Sequence, residues 1–185
     1  MKTRFSIPAL LVLAAACLAS LQANAQQRRA SPHETISTVV DNNRVTVVYG
    51  RPYTKNPRSG ETRKIWGGLV PYDHVWRLGA DEATLLITQK PLMIGGTTVP
   101  AGAYTLFLLP HENTATQLII NKQLGQWGLQ YSEKEDLTRV EMKKETLATP
   151  VDQFTMAVEK NPSGGGALVL KWETTEYSVP FTVVK

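Results

Sequence analysis

The second half of this chain alternates apolar and polar residues with a period of two. Phe154, Met156 and Val158 form one such series. Leu168, Leu170 and Trp172 form another, and Tyr177, Val179, Phe181 and Val183 a third. In an extended strand successive side chains point to opposite faces, so each series presents one face to a core and the other to water. No stretch shows the 3.6-residue period of an amphipathic helix. The only helical signal is Ser132 with Glu135, which resembles a capping box over a turn or two.

Shorter β-branched runs at 35–40, 44–49, 83–88, 92–94, 97–99, 103–109, 116–121 and 137–143 extend the pattern. Turn formers separate them: Asp41-Asn42-Asn43, Gly95-Gly96, Pro100-Ala101-Gly102 and the segment 161–166. Pro180 lacks an N–H for a ladder, which places the last strand at an edge or on a bulge there. About ten short strands with little helix predict an all-β fold, an antiparallel β-sandwich or a jelly roll.

The chain begins with the features of an export leader. Lys2 and Arg4 precede an apolar run from 5 to 21 that Pro8 interrupts, and Ala23-Asn24-Ala25 has the small-x-small form of a signal-peptidase site. Residues 1–25 are therefore expected to be a signal peptide, 26–32 a linker and 33–185 a single β-sandwich domain, exported to the periplasm or beyond the cell. Lipid anchoring at Cys17 is the lesser alternative, because the leucine expected three positions upstream is missing. No transmembrane segment is expected in the mature chain.

Without the leader the net charge falls from +4 to about +2, since Lys2 and Arg4 leave with it, so nucleic acid is not an expected partner. Cys17 is the only cysteine. Beyond the leader this excludes disulfides, thiol nucleophiles and thiolate zinc sites. No phosphate loop, dinucleotide fingerprint or Gly-x-Ser-x-Gly elbow is present, and no cofactor is expected.

The unusual chemistry is concentrated at 65–84, where two tryptophans, an arginine, adjacent carboxylates and several glycines meet. Trp66, Tyr72, Trp76 and Arg77 read in two ways. Aromatic faces stack on sugars or other flat groups while a guanidinium grips an anion. Equally, tryptophans fill sandwich cores, and for Trp76 that reading is preferred. Alternation puts Arg77 on the face opposite Trp76. Asp81 and Glu82 are neighbours, so they serve one site only if a bulge or turn intervenes, and Gly79-Ala80 permits one. The plainer expectation is an ion pair from one of them to Arg77 or Arg51.

His33, His74 and His111 are far apart, without metal-ligand spacing, and read as loop histidines, so no metal site is expected. Tyr104 reads as a core aromatic, and Trp127 as a cap on the core or the rim of a cleft.

The motif Gly68-Leu69-Val70-Pro71-Tyr72, Val75-Trp76-Arg77 and Gly79-Ala80-Asp81-Glu82-Ala83-Thr84 resembles the bacterial domain-of-unknown-function family 2911. Arg51-Pro52, Pro100-Ala101-Gly102, Tyr104, Asn121-Lys122, Trp127-Gly128, Tyr131, Asp136, Arg139-Val140 and Val179-Pro180 agree with it. The resemblance covers about 31–184 and implies a secreted, single-domain β protein with no activity to carry over. The family pattern usually has Asn where Asp81 stands, and Asp73-His74 falls at variable positions.

Two functions follow as expectations. One is a non-catalytic module binding a small molecule, a glycan or a cell-envelope partner through Arg51, Trp66, Tyr72, Arg77 and Glu82. The other is a hydrolase or isomerase with Glu82 or Asp81 as acid/base and Arg77 as anion clamp.

Overall fold

Two tight turns set the strand pairing. Asp41 and Asn42 both adopt positive φ, 48° and 57°. A two-residue turn that matches strand twist needs this conformation at both positions, and Asp and Asn tolerate it. β1 (His33–Val40) and β2 (Asn43–Gly50) consequently pair from His33 opposite Gly50 to Val40 opposite Asn43. Gly95 and Gly96 (φ 57° and 80°) turn β4 (Leu92–Ile94) into β5 (Thr97–Val99) in the same way.

The structure is a computed structural model that describes residues 29–184. The proposed leader lies outside the described residues, as does 26–28 of the expected linker. Ser31–Lys185 makes one compact unit. The remaining strands are β3 (Thr84–Thr88), β6 (Gly102–Leu109), β7 (Gln117–Asn121), β8 (Asp136–Glu141), β9 (Lys143–Lys160) and β10 (Gly166–Val183). They form two antiparallel sheets, one in the order β1-β2-β3-β6-β7-β8 and the other β5-β4-β10-β9. The fold is thus all-β and sandwich-like.

One core fills the space between the sheets. Val45, Val47, Leu86 and Leu106 face it from the larger sheet; Phe154, Met156, Leu168, Leu170 and Trp172 face it from the smaller. Trp172 is completely buried and stacks on Trp76 with centroids 5.8 Å apart, while Phe154 meets both rings edge-on.

Four expectations are corrected. The series at 168–172 and 177–183 belong to one 18-residue strand, with a bulge around Glu173 (φ 51°) that shifts the register on β9. Likewise β9 runs unbroken from 143 to 160, because extra residues bulge around Pro150 and the polar surface residues before it are still paired. Pro180 lies on an interior strand and away from the bulge. It fits because the pairing with β9 ends at Ser178 and the pairing with β4 starts at Phe181. At the expected helix there is one 3₁₀ turn, Glu133–Glu135, and the Ser132 side chain makes no capping bond.

The edge of the smaller sheet is sealed against the larger one by the segment after β2. Phe154 N–H donates to Pro52 O (2.9 Å) and Thr54 N–H to Asp152 O (2.7 Å). Arg51 donates through Nε to Phe154 O (3.0 Å) and through Nη2 to Thr155 Oγ1 (2.8 Å), and its Nη1 pairs with Glu34 at 2.9 Å. Tyr49, buried beneath, accepts from Met156 N–H (2.9 Å) and donates to Glu34 Oε2 (3.0 Å). Arg51 is therefore a stitch between the sheets. Replacing Arg51 with Ala removes three contacts from a half-buried seam and is expected to cost about 2 kcal/mol, read as a lower urea midpoint with unchanged slope.

Two tyrosines hold their protons unusually tightly. Burial pushes the Tyr49 hydroxyl up to about 12, with Glu34 adding to the effect and the Met156 hydrogen bond opposing it. Burial first, then the Asp136 carboxylate, pushes Tyr131 up to about 12. Unfolded tyrosines titrate near about 10, so the folded chain binds these protons more strongly. The resulting stability is complete below about pH 10 and is lost as the pH climbs toward 12. Urea unfolding across that window should show the decline, and the Tyr49→Phe/Tyr131→Phe double variant, less stable at neutral pH, should show a flatter one.

Candidate functional site

The motif at 65–84 is a strand lane with a long excursion. Asp73 N–H donates to Pro110 O (2.8 Å), and Trp76 exchanges both backbone bonds with Leu108 (2.7 and 2.8 Å). Residues 73–77 therefore run beside β6 in the lane that β3 resumes where Thr84 pairs with Leu106. Between those pairs, residues 77–83 stand opposite Phe107 alone. This is an enlarged β-bulge, a device that re-aims side chains. Trp76 points into the core and Arg77 to the other side.

The excursion is tightly constrained. Leu78 and Asp81 have φ of 53° and 66°. For a leucine this is a true outlier, costing on the order of 1–3 kcal/mol and held only by its surroundings. Thr84 Oγ1 donates to Leu78 O (2.6 Å), Ala80 N–H to Gly50 O (3.3 Å), and Gly128 N–H to Asp81 O (3.0 Å). Gly50 and Gly128 must be bare for this approach. A Cβ on Gly50 would sit 2.2 Å from Ala80 O, and one on Gly128 would sit 2.0 Å from Arg77 Cδ.

Because Asp81 is left-handed, the two adjacent carboxylates turn toward the same partner. His33 Nε2 lies 3.0 Å from Glu82 Oε2 and 3.9 Å from Asp81 Oδ2. The first distance is a hydrogen bond and the second is too long for one. Asp81 Oδ2 and Arg77 Nε are both buried without a hydrogen-bond partner among the described residues. Burial weakens the hold of the Arg77 guanidinium on its proton, and the nearby Asp81 carboxylate works against that. Trp127, 47% exposed, pairs through its backbone with Glu82 at the rim of this cluster. Among the described residues no three His, Cys, Asp or Glu side chains converge to hold a metal ion.

The segment carrying Trp127 is fastened by a closed network. Tyr131 Oη donates to Asp136 Oδ2 (2.6 Å), Arg139 Nε to the same oxygen (2.9 Å), and Asn121 Nδ2 to Asp136 Oδ1 (2.8 Å). Gln126 Nε2 donates to Thr105 Oγ1 (3.0 Å), laying the segment on the outer face of the larger sheet.

The predicted residues thus divide. Arg77, Asp81 and Glu82 come together. Arg51 does not join them: its partners are Glu34 and β9. Trp66 meets Tyr177 and Trp76 edge-on at 5.3 and 6.3 Å, as part of the aromatic core. The Tyr72 ring lies where a Cβ on Gly67 would be, 2.8 Å away. His33 opens β1 and is not a loop residue; its proximity to the carboxylates depends on strand pairing that no local pattern reveals. His111 Nδ1 pairs with Asp73 at 2.5 Å, away from the cluster. The described clefts at Asp41 and Lys90 and at Met93 and Phe181 are lined by other residues.

Gly50→Ala is expected to cost more than Gly125→Ala. The first drives a methyl into backbone and costs about 1–3 kcal/mol or more. The second meets nothing within 4 Å and carries only left-handed strain, roughly 1–2 kcal/mol. Paired denaturation curves decide the order.

A family profile described as "Protein of unknown function (DUF2911)" matches residues 31–181. No curated protein matches the chain, and no solved structure does.

Proposed function

Because this chain belongs to the DUF2911 family of proteins of unknown function, its own residues must supply the reading, and we propose that it is an exported, non-catalytic β-sandwich that binds a glycan. The ligand lies on the outer face of the larger sheet, against Arg77, Asp81, Glu82 and Trp127. Arg51, Trp66 and Tyr72 act behind it as scaffold. Export rests on the leader features at 1–25.

One observation carries the binding reading. A buried donor, Arg77 Nε, and a buried acceptor, Asp81 Oδ2, are both unsatisfied in one constrained bulge. Leaving such groups unpaired costs about 1–3 kcal/mol each. The Arg77 and Asp81 side chains are themselves only partly buried, so sugar hydroxyls, which both donate and accept, suit the accessible parts of this guanidinium and carboxylate, and the half-exposed Trp127 offers a face on which a pyranose ring stacks.

The test is a thermal-shift screen of residues 31–185 against mono- and oligosaccharides. A ligand at roughly a hundredfold excess over Kd adds about 2.7 kcal/mol of stability. That gain should vanish in Trp127→Ala and in Arg77→Ala variants that keep the wild-type circular dichroism. If no sugar raises the midpoint, or the gain survives both substitutions, glycan binding at this patch is wrong. A sugar cleaved by the wild type but not by Glu82→Gln would make the site catalytic.

A further inference from the structure

Outside that site, one short segment of the folded unit carries a local surplus of positive charge. Four of the 20 basic residues, Lys2, Arg4, Arg28 and Arg29, precede Ser31, and all 16 acidic residues follow it. From Ser31 onward the chain is therefore formally neutral. Within 53–64, however, Lys55, Arg58, Arg63 and Lys64 face only Glu61. A surplus of three positive charges sits here, balanced by an acidic surplus elsewhere. Such a charge-segregated molecule orients in a field even with no net charge.

This segment is an ordered hairpin. Lys55 pairs with Thr62, Asn56 N–H donates to Glu61 O (2.8 Å), Gly60 N–H to Asn56 O (2.8 Å) and Arg63 N–H to Thr54 O (3.0 Å). The Arg63 guanidinium is engaged by the carbonyls of Tyr53 and Thr54, and Glu61 accepts from Ser59 Oγ (3.1 Å). Lys55, Arg58 and Lys64 are exposed and pair with no acid among the described residues. Directly after them, Leu69 N–H closes a turn onto Lys64 O (2.9 Å), and the Leu69 side chain is 43% exposed.

We propose that this hairpin docks the protein peripherally on an anionic lipid surface. Lys55, Arg58 and Lys64 meet headgroup phosphates, and Leu69 enters the boundary between headgroups and acyl chains. The cations alone fit any polyanion. Leu69 favours lipid, because an apolar side chain gains by leaving water for acyl chains and gains nothing from a hydrated polymer. The proposal is independent of the glycan site, which uses none of these side chains.

Co-sedimentation of residues 31–185 with vesicles tests it. Binding is expected to vesicles of phosphatidylcholine mixed with phosphatidylglycerol, to be weak on phosphatidylcholine alone, and to fall as salt rises. Each exposed cation contributes roughly fivefold, so the triple variant Lys55→Ser, Arg58→Ser, Lys64→Ser should partition on the order of a hundredfold less. Leu69→Ser should weaken binding severalfold and leave its salt dependence unchanged. All four positions are exposed, so the variants should melt with the wild type. Equal binding to both vesicle types, an unchanged triple variant, or binding to soluble polyphosphate without binding to vesicles would overturn the assignment.

Discussion

Trp76 is the contact on which the arrangement turns. Its backbone closes a two-bond pair with Leu108 in the larger sheet, and its ring stacks on Trp172 of the smaller one. One residue thereby ties the 65–84 segment to both layers. Replacing a buried aromatic of this kind with Ala typically costs 3–5 kcal/mol. With Trp76 fixed inward, strand alternation sends Arg77 outward. At this point the mixed aromatic and ionic cluster of the sequence separates, the Trp76 ring into the core and the Arg77 guanidinium to the outer face.

The outward half is rigid for a different reason. Leu78 and Asp81 are held left-handed by hydrogen bonds from Thr84 and Gly128, and by the absence of side chains at Gly50 and Gly128. Strain of this sort persists only where the surroundings over-determine it. Arg77 and Asp81 also have little freedom to turn and bond each other, since the Gly128 backbone lies across the Arg77 stem. The unpaired groups are thus consequences of the clamp, and a bulge held open in this way is pre-organised for an outside partner.

Local chemistry made much of this legible. Asp41-Asn42 and Gly95-Gly96 marked their hairpins, period-two runs marked the core faces, and Gly79-Ala80 allowed the bulge that brings Asp81 and Glu82 to one side. The misses were matters of long-range pairing. Nothing within 144–151 alternates, yet those residues are strand because β10 lies alongside. Arg51 has the composition of a binding residue and serves as a seam because β9 arrives beside it from a hundred residues away. His33 and the segment bearing Trp127 come to the carboxylates through the sheet and through the Asp136 network, and neither leaves a trace in spacing.

β1 shows why the two roles stay apart. His33 and Glu34 are consecutive, so they point to opposite faces: His33 to Glu82 on the outer side, Glu34 to Arg51 and Tyr49 at the seam. A one-residue slip of β1 along β2 would exchange them. Glu34 would then join Asp81 and Glu82 in a cluster of three carboxylates, Arg51 would lose one of its three partners, and the Tyr49 hydroxyl would lose its carboxylate acceptor. Both changes are unfavourable, by like-charge repulsion on one face and an unsatisfied buried donor on the other. The charges at the start of β1 therefore favour the same register as the apolar pattern of Ile36 and Val40, and that register is what delivers His33 to the site.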